Sequence, residues 1–177
     1  ANAMLVSRLD SVAWLLNLRA DDIACTPVAM AYCLVLPDSA TLFINRSRLP
    51  QEAQYALAKE GVQTAAYEDV ANAIAAIDQM VTALYEPDGL NYPLYNAWKA
   101  NPNVTLLAGE EPVQQLKGVK NEVEIENIKN AHVKDGVAMV RFQMALEDKM
   151  ARGEAVTECD VTEMLATLRR EQPLCLG

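Results

Sequence analysis

The sequence predicts an α/β fold in which helices flank a mixed β-sheet, followed by two helices of a second folding unit. After Gly61, apolar strand-like segments alternate with amphipathic helical segments, an order that favours a sheet with helices packed on it. Two apolar runs, 28–36 and 40–45, flank turn residues at 37–39 and predict an antiparallel hairpin. Segment 120–147 is amphipathic and free of proline, which predicts one long helix joining the two units.

Other elements follow from caps, turns and periodicity. Ser7 is a suitable N-cap for a first helix ending near Asn17, and Asp10 completes a capping box. The other predicted helices are 50–59, which Gly61 ends, then 68–78, 92–99, 111–118 and 157–170. The other predicted strands are 62–66, 80–85 and 104–107, and the last two are expected to be interior or near-interior strands of one mixed sheet.

Composition sets limits on function. The 177 residues are 51% hydrophobic and 22% charged, which suits a globular domain with an appendage. The formal net charge of −9 argues against non-specific nucleic-acid binding, because a phosphate backbone needs a basic face. No apolar run approaches the roughly 20 residues that cross a bilayer, so no membrane segment is predicted.

The first residues and the cysteine spacing predict a cytoplasmic protein. The first four residues resemble the remnant of an expression tag rather than a signal peptide, and they are set aside from the fold prediction. Four cysteines lie far apart, with no Cys-x-x-Cys pair and a single histidine in the chain. This pattern predicts buried or incidental thiols instead of a zinc site.

Two motifs resemble those of a known enzyme family. The first is RLDSVAWLLNLR at 8–19, and the second combines KNEVEI at 120–125 with AHVKDGVAMVRF at 131–142. In this order they are similar to the starts of the middle and catalytic domains of X-prolyl aminopeptidases (aminopeptidase P). These enzymes belong to the creatinase and prolidase group of "pita-bread" metallohydrolases. The resemblance implies a creatinase/aminopeptidase P N-terminal-type domain, ribonuclease H-like, at 4–118, and the first helices of a truncated catalytic domain at 119–177.

The resemblance also implies a function for the parent protein. The parent would be a cytoplasmic metallopeptidase that uses two manganese or other divalent ions to release an N-terminal residue preceding proline. Its partner would be a peptide with proline at the second position. The family's metal ligands, two aspartates, a histidine and two glutamates, lie in strands further along. The chain itself is therefore expected to have no catalytic residue, metal or cofactor, and to serve structure, substrate access or oligomerisation.

Two other interpretations stay open. The chain could be a standalone binding or dimerisation module that shares only ancestry with the peptidases. It could also belong to a hydrolase of the prolidase or creatinase type, because a non-catalytic domain does not fix substrate specificity.

Three residues are candidates for substrate contact or for a domain interface. Arg19 follows the Trp-Leu-Leu-Asn motif in a predicted loop, where Ala20 replaces the glycine that usually stands in the family. Trp14 belongs to the same motif, although a tryptophan at helical spacing is more often a core residue. His132 stands three residues before Asp135, a spacing that suits two metal ligands, but nothing supplies further ligands, and a structural role between domains is expected.

The two C-terminal helices carry apolar side chains for which the sequence offers no partner. These are Met139, Phe142, Leu146, Met164, Leu165 and Leu168. Large apolar side chains left in water favour association, and a two-fold dimer is the commonest closed assembly. A homodimer formed through these helices is therefore predicted.

Overall fold

The computed structural model describes residues 1–175 and divides into two compact units, which meet between Val119 and Lys120. The first unit contains a six-stranded mixed sheet in the order β4-β3-β2-β1-β5-β6. Its strands are β1 (Ala3–Val6), β2 (Ala31–Leu36), β3 (Ser39–Ile44), β4 (Val62–Ala66), β5 (Val81–Tyr85) and β6 (Val104–Ala108). Its α-helices are α1 (Leu9–Leu15), α2 (Gln51–Lys59), α3 (Val70–Ala75), α4 (Tyr92–Ala100) and α5 (Pro112–Gly118). The predicted α/β class is confirmed.

Strand directions bring most of the loops that follow strands to one side of the sheet. β2 and β3 form the predicted antiparallel hairpin, with Leu36 opposite Ser39 across the turn. β1 is antiparallel to β2 and parallel to β5, while β3–β4 and β5–β6 are parallel pairs. Every strand except β2 therefore points the same way. Their carboxyl ends share one edge of the sheet, which we call the carboxyl edge.

Both faces of the sheet are covered, as continuous apolar strands require. On one face, an apolar cluster around Phe43, Ile74 and Trp98 packs α3 and α4 against the sheet. On the opposite face, a second cluster that includes Val12, Leu57 and Val113 packs α1, α2 and α5. The first unit is thus a three-layer α/β/α arrangement.

A buried asparagine fastens the end of α3 to the loop before β6. Asn101 is 5% exposed, and its side-chain nitrogen donates to the carbonyl oxygens of Ile74 at 2.8 Å and Ile77 at 3.0 Å. Its side-chain oxygen accepts from the backbone N–H of Asn103 at 2.9 Å. These bonds add side-chain donors to carbonyls at and just beyond the end of α3, where intrahelical bonding runs out.

Four predictions for the first unit are wrong in detail. Ala3 and Met4, among the residues set aside at the chain start, belong to β1, and this strand lies inside the sheet. β6, predicted to be interior or near-interior, lies at an edge. Predicted helix 68–78 is a 3₁₀ turn, Tyr67–Asp69, followed by the short α3. Ser7 does not cap α1, because Arg8 occupies the N-cap and the Ser7 hydroxyl bonds elsewhere.

The second unit consists of two helices, α6 (Glu122–Ala151) and α7 (Glu158–Arg170), which pack on each other. Each begins with a capping box, formed by Asn121 with Glu124 and by Thr157 with Asp160. The predicted long helix is therefore present. Within residues 1–175, no helix combines the length and apolarity needed to cross a bilayer.

Candidate functional site

The carboxyl edge collects the polar and aromatic side chains of the first unit that are best placed for function. In open α/β sheets, ligands bind outside the carboxyl ends of the strands. Ser7 and Arg8 follow β1, Glu86 follows β5, and Glu111 follows β6. The chain therefore delivers these groups to neighbouring positions from three parallel strands.

An ion pair joins two of these strand ends. The Arg8 guanidinium donates from Nε to Glu86 Oε2 at 2.7 Å, and its Nη2 lies 2.7 Å from the same oxygen. This bond raises the pKa of Arg8 above its ordinary value. The Ser7 hydroxyl donates to the Gly89 carbonyl at 2.6 Å, and a Cβ at Gly89 would stand 2.8 Å from Glu86 Oε2. Glycine at this position therefore leaves room for the Glu86 carboxylate.

A buried carboxyl group lies beside that pair. Glu111 is 5% exposed, and its Oε1 has no hydrogen-bond partner in the described structure. Burial is the main cause that raises the pKa of Glu111, reinforced by the charge of Glu86 and opposed by a hydrogen bond with Ser11. Gln114 Nε2 donates to the fully buried Ser11 hydroxyl at 2.6 Å, which ties α5 to α1.

A second charged contact fixes α5. Lys117 donates to Asp10, the acidic residue in the first turn of α1. Burial tends to raise the pKa of Asp10, but the bonds from Lys117 and Gln114 outweigh it and hold this pKa below the ordinary value. The polar contacts of Glu111, Gln114 and Lys117 thus fasten the last helix of the first unit to α1.

Five of the six tyrosines form a second group at the carboxyl edge, which we call the tyrosine cluster. Its members are Tyr32, Tyr67, Tyr85, Tyr92 and Tyr95. Tyr32 and Tyr67 stack with ring centroids 5.1 Å apart, and Tyr95 lies between Tyr85 at 5.3 Å and Tyr92 at 6.4 Å. Asn91 links the two sets, because it precedes Tyr92 and donates from Nδ2 to the Tyr32 hydroxyl at 3.1 Å.

The tyrosine cluster has one half-buried end and one exposed end. Burial, with help from the hydroxyl of Tyr32, raises the pKa of Tyr67 to about 12, so its phenol stays protonated at neutral pH. Tyr92 is 73% exposed at the other end. The cluster therefore presents an aromatic surface to solvent while its inner members are held by the fold.

The candidate residues predicted from the motifs lie apart from this edge. Trp14 is half-buried against the apolar cluster beneath α1, on the opposite face from α4. Arg19 is exposed, and its Nη1 donates to the carbonyls of Ala13 at 2.6 Å and Leu18 at 3.0 Å. Arg19 thus caps the end of α1, where Asn17 adopts a left-handed conformation with φ 48°.

The third candidate, His132, is exposed on α6. Its neighbour Asp135 bonds Arg169 of α7 at 2.7 Å, and that bond lowers the pKa of Asp135. Among residues 1–175, no group of three or more His, Cys, Asp or Glu side chains is gathered to hold a metal ion. The chain's residues therefore do not fit the two-metal centre that the family resemblance implies, and we derive no metal-dependent step from them.

No disulfide joins the four cysteines in the described part of the chain, and of the four Cys33 alone is buried. Burial raises its pKa to about 12, so this thiol is almost entirely protonated and unreactive at neutral pH.

Sequence reasoning missed both groups at the carboxyl edge. The five clustered tyrosines come from four separate elements, and only the three-residue spacing of Tyr92 and Tyr95 on α4 was a local signal. The Arg8–Glu86 bond joins residues 78 positions apart, which no local pattern reveals.

Comparisons with known proteins assign the family. The creatinase/prolidase N-terminal domain matches residues 1–124. A probable Xaa-Pro aminopeptidase P from Sordaria macrospora is 32% identical across 100% of this chain and 30% of that protein, and one from Neurospora crassa is 34% identical across 100% and 27%. The X-prolyl aminopeptidase of Caenorhabditis elegans superposes with a TM-score of 0.87 at 27% identity, covering 98% of this chain and 29% of that one. The chain thus spans under a third of these proteins, and it belongs to the creatinase/prolidase N-terminal domain family.

Proposed function

We propose that the chain is a non-catalytic part of an X-prolyl aminopeptidase that releases an N-terminal residue preceding proline. The carrying observation is that similarity to Xaa-Pro aminopeptidases extends over the whole chain, through both units. A shared first domain alone would fit many hydrolases of the group. Continuation of the similarity through α6 and α7 favours the aminopeptidase over a prolidase or creatinase-type enzyme.

In this proposal, residues 4–118 are an accessory domain and residues 119–177 open the catalytic domain. The C. elegans enzyme is described as cytosolic with a di-nuclear active site. The parent of this chain would accordingly be cytoplasmic and hold two divalent ions, manganese in our proposal, on residues outside this chain. In the parent, this chain would contribute the six-stranded sheet with its carboxyl edge, and α5 would lead the chain on to the catalytic domain.

A direct test compares the chain with a longer product of the same gene. The purified chain is incubated with manganese and an Arg-Pro-Pro peptide, and release of arginine is followed by mass spectrometry. We expect no release from the chain and far less than one manganese per chain by elemental analysis. The longer product should release arginine in a manganese-dependent manner. Activity or stoichiometric metal in the short chain would overturn the proposal, as would an inactive, metal-loaded, folded longer product.

A second candidate function, self-association, is favoured by one observation on α6. Val133, Val137, Val140 and Met144 are 67%, 46%, 58% and 63% exposed and follow each other at steps of four, three and four residues. We call them the α6 seam. That spacing is typical of helix pairing. The side chains first expected to lack partners differ, since Phe142 is buried and Leu146, Met164, Leu165 and Leu168 are half-buried.

Sedimentation at micromolar concentration tests a homodimer through the α6 seam. If the seam pairs two copies, the chain sediments as a dimer and Val137→Glu converts it to a monomer. Val123→Glu is the matched control, because Val123 is 69% exposed on the same helix outside the seam. A monomeric unsubstituted chain, or equal effects of both substitutions, would exclude the seam as a dimer interface.

A further inference from the structure

The tyrosine cluster is the surface that the family assignment leaves without a role. Tyr92, Tyr95 and Tyr85 form a continuous row from solvent to the end of β5, with ring centroids 6.4 Å and 5.3 Å apart. Tyr92 is the outermost member, at 73% exposure. Tyr85 and Tyr95 are half-buried, so the row offers one fully exposed ring backed by two partly accessible ones. Aromatic groups in solvent-facing patches mark interaction sites.

The row is held in place before any partner arrives. Asn91 caps α4 by accepting from the Leu94 backbone N–H at 3.0 Å, and the same side chain donates to the Tyr32 hydroxyl. Leu94 is buried in the core, so the first turn of α4 is anchored. Ordering entropy is a main cost of association, and a surface fixed in advance lowers that cost.

The charged residues around the tyrosine cluster favour a basic peptide over a nucleic acid as its partner. Tyr67 is followed directly by Glu68 and Asp69, and Asp88 lies four residues before Tyr92; all three carboxylates are exposed. Three arginines follow strands to the same edge of the sheet, and each is engaged: Arg8 with Glu86, Arg46 with the Thr64 carbonyl, and Arg48 with Asp21 and Asp22. Aromatic faces also stack nucleic-acid bases, but an acidic rim repels phosphates. An acidic rim instead complements a peptide that carries a basic residue.

The aromatic faces favour proline within such a peptide. Prolyl rings pack flat on tyrosine faces, and proline-rich segments hold an extended polyproline helix that loses little entropy on docking in aromatic-lined sites. A tyrosine hydroxyl can in addition donate to a peptide carbonyl, which proline-rich segments leave free.

We propose that the tyrosine cluster binds a basic, proline-rich peptide segment through Tyr92 and Tyr95, apart from the residues that hydrolyse a peptide. The choice of proline rests on the proposed function, since the parent would meet peptides that carry it. The cluster would retain the distal part of a proline-rich peptide at the accessory domain.

The test uses the chain itself and an acetylated, amidated probe peptide, Arg-Pro-Pro-Pro-Pro-Pro-Arg, whose blocked ends prevent aminopeptidase cleavage. Binding is followed by amide chemical shifts in NMR titrations. The shifts should map to the start of α4 and to Tyr67 and Tyr85. A peptide with alanine at the five proline positions should bind at least about fivefold more weakly.

Two exposed tyrosines supply a matched pair of variants. Tyr92→Ala should weaken binding at least about fivefold, and Tyr92→Phe should keep most of it, since the ring makes the contact. Tyr55→Ala is the control, because Tyr55 is 74% exposed on α2 outside the cluster. Dispersed amide spectra must show that every variant is folded.

Four results would overturn the proposal: no binding by the unsubstituted chain, equal effects of Tyr92→Ala and Tyr55→Ala, equal binding of the alanine peptide, or tighter binding of an oligothymidine. Because the probe needs no hydrolysis, these results leave the peptidase proposal intact. An inactive longer gene product that still binds the peptide would instead reject the peptidase alone.

Discussion

The two units reach a folded state by different means. Among the buried apolar side chains of residues 1–175, all but two lie in residues 1–119, and the two exceptions are Ala138 and Phe142 on α6. The first unit is held by burial and by strand pairing between distant residues. The second relies on helix caps and on exposed ion pairs such as Arg141–Glu171 at 2.6 Å, which contribute little each. Stability in this chain is therefore concentrated in the sheet unit.

Removing the largest buried side chain should expose that contrast most strongly. Trp98 is 1% exposed in the core between α4 and the sheet, so Trp98→Ala should lower the free energy of unfolding by about 3–5 kcal/mol. Denaturant titration followed by circular dichroism measures the loss. Tyr55→Ala, at an exposed site, should change stability by less than about 0.5 kcal/mol. A loss below about 1 kcal/mol for Trp98→Ala would contradict the inferred concentration of stability.

A substitution of Asn101 tests how much buried hydrogen bonds add to the stability of the first unit beside apolar burial. Asn101→Ala removes the side-chain donor to the Ile74 carbonyl and the acceptor of the Asn103 backbone N–H, while Asn103 Nδ2 still donates to the Ile77 carbonyl at 3.1 Å. A loss of about 1–3 kcal/mol is expected. Asn96→Ala, on the exposed side of α4, serves as the control in the same denaturation assay. Equal stability of the two variants would show that water replaces the lost donor.

A cap substitution tests the second unit separately. Thr157→Ala removes the side chain that accepts from the Asp160 backbone N–H, and it should destabilise α7 by about 1 kcal/mol. Thr157→Ser keeps the hydroxyl and should retain the cap. Hydrogen exchange should show faster exchange in α7 and unchanged protection in the sheet. Loss of protection in both units together would mean that they unfold as one, and the contrast would fail.

The smallest expected effect is a pH dependence within the first unit. The folded-state pKa of Glu111 lies above its ordinary value of 4.5, so its stabilising contribution is complete below that value and is lost as pH rises through the folded pKa. Asp10 has the opposite sign, because its lowered pKa favours folding above its ordinary value of 3.8.

Thermal unfolding above the ordinary Glu111 pKa separates these two groups. As pH rises, the midpoint temperature of unfolding should fall less in Glu111→Gln than in the unsubstituted chain. Glu110→Gln, which changes an exposed neighbour, should leave that fall unchanged. An identical pH profile for Glu111→Gln and the unsubstituted chain would show that Glu111 titrates normally.

Local signals in the sequence predicted most elements of the fold. Strand 62–66 matches β4, and Gly61 ends α2 with φ 78° as its position implied. Apolar periodicity and turn chemistry are properties of a few neighbouring residues. Elements whose formation is decided by these properties can therefore be predicted from the local sequence. The prediction failed where distant contacts decide, as at Ser7, whose hydroxyl bonds Gly89 instead of capping α1.

The candidate site was less accessible to sequence reasoning. The motif residues Trp14 and Arg19 pack or cap within their own region, whereas the carboxyl edge gathers side chains from strands that are neighbours only in the sheet. Strand order cannot be read from any single segment. Without the strand order, the sequence does not show that Glu86 pairs with Arg8 or that Glu111 is buried beside that pair.

The central place of β1 has a consequence for the order of folding. β1 bridges the hairpin half of the sheet and the β5–β6 pair, and Asn2 already exchanges hydrogen bonds with Thr82, 80 residues later. During synthesis, the first strand must therefore wait for β5 to emerge before its second edge is paired. Contacts so distant in sequence slow folding and leave an open strand edge exposed meanwhile. We expect the β2–β3 hairpin to pair with one edge of β1 during that interval. A substitution that weakens the hairpin turn should therefore cause aggregation during expression, even where the folded protein loses little stability.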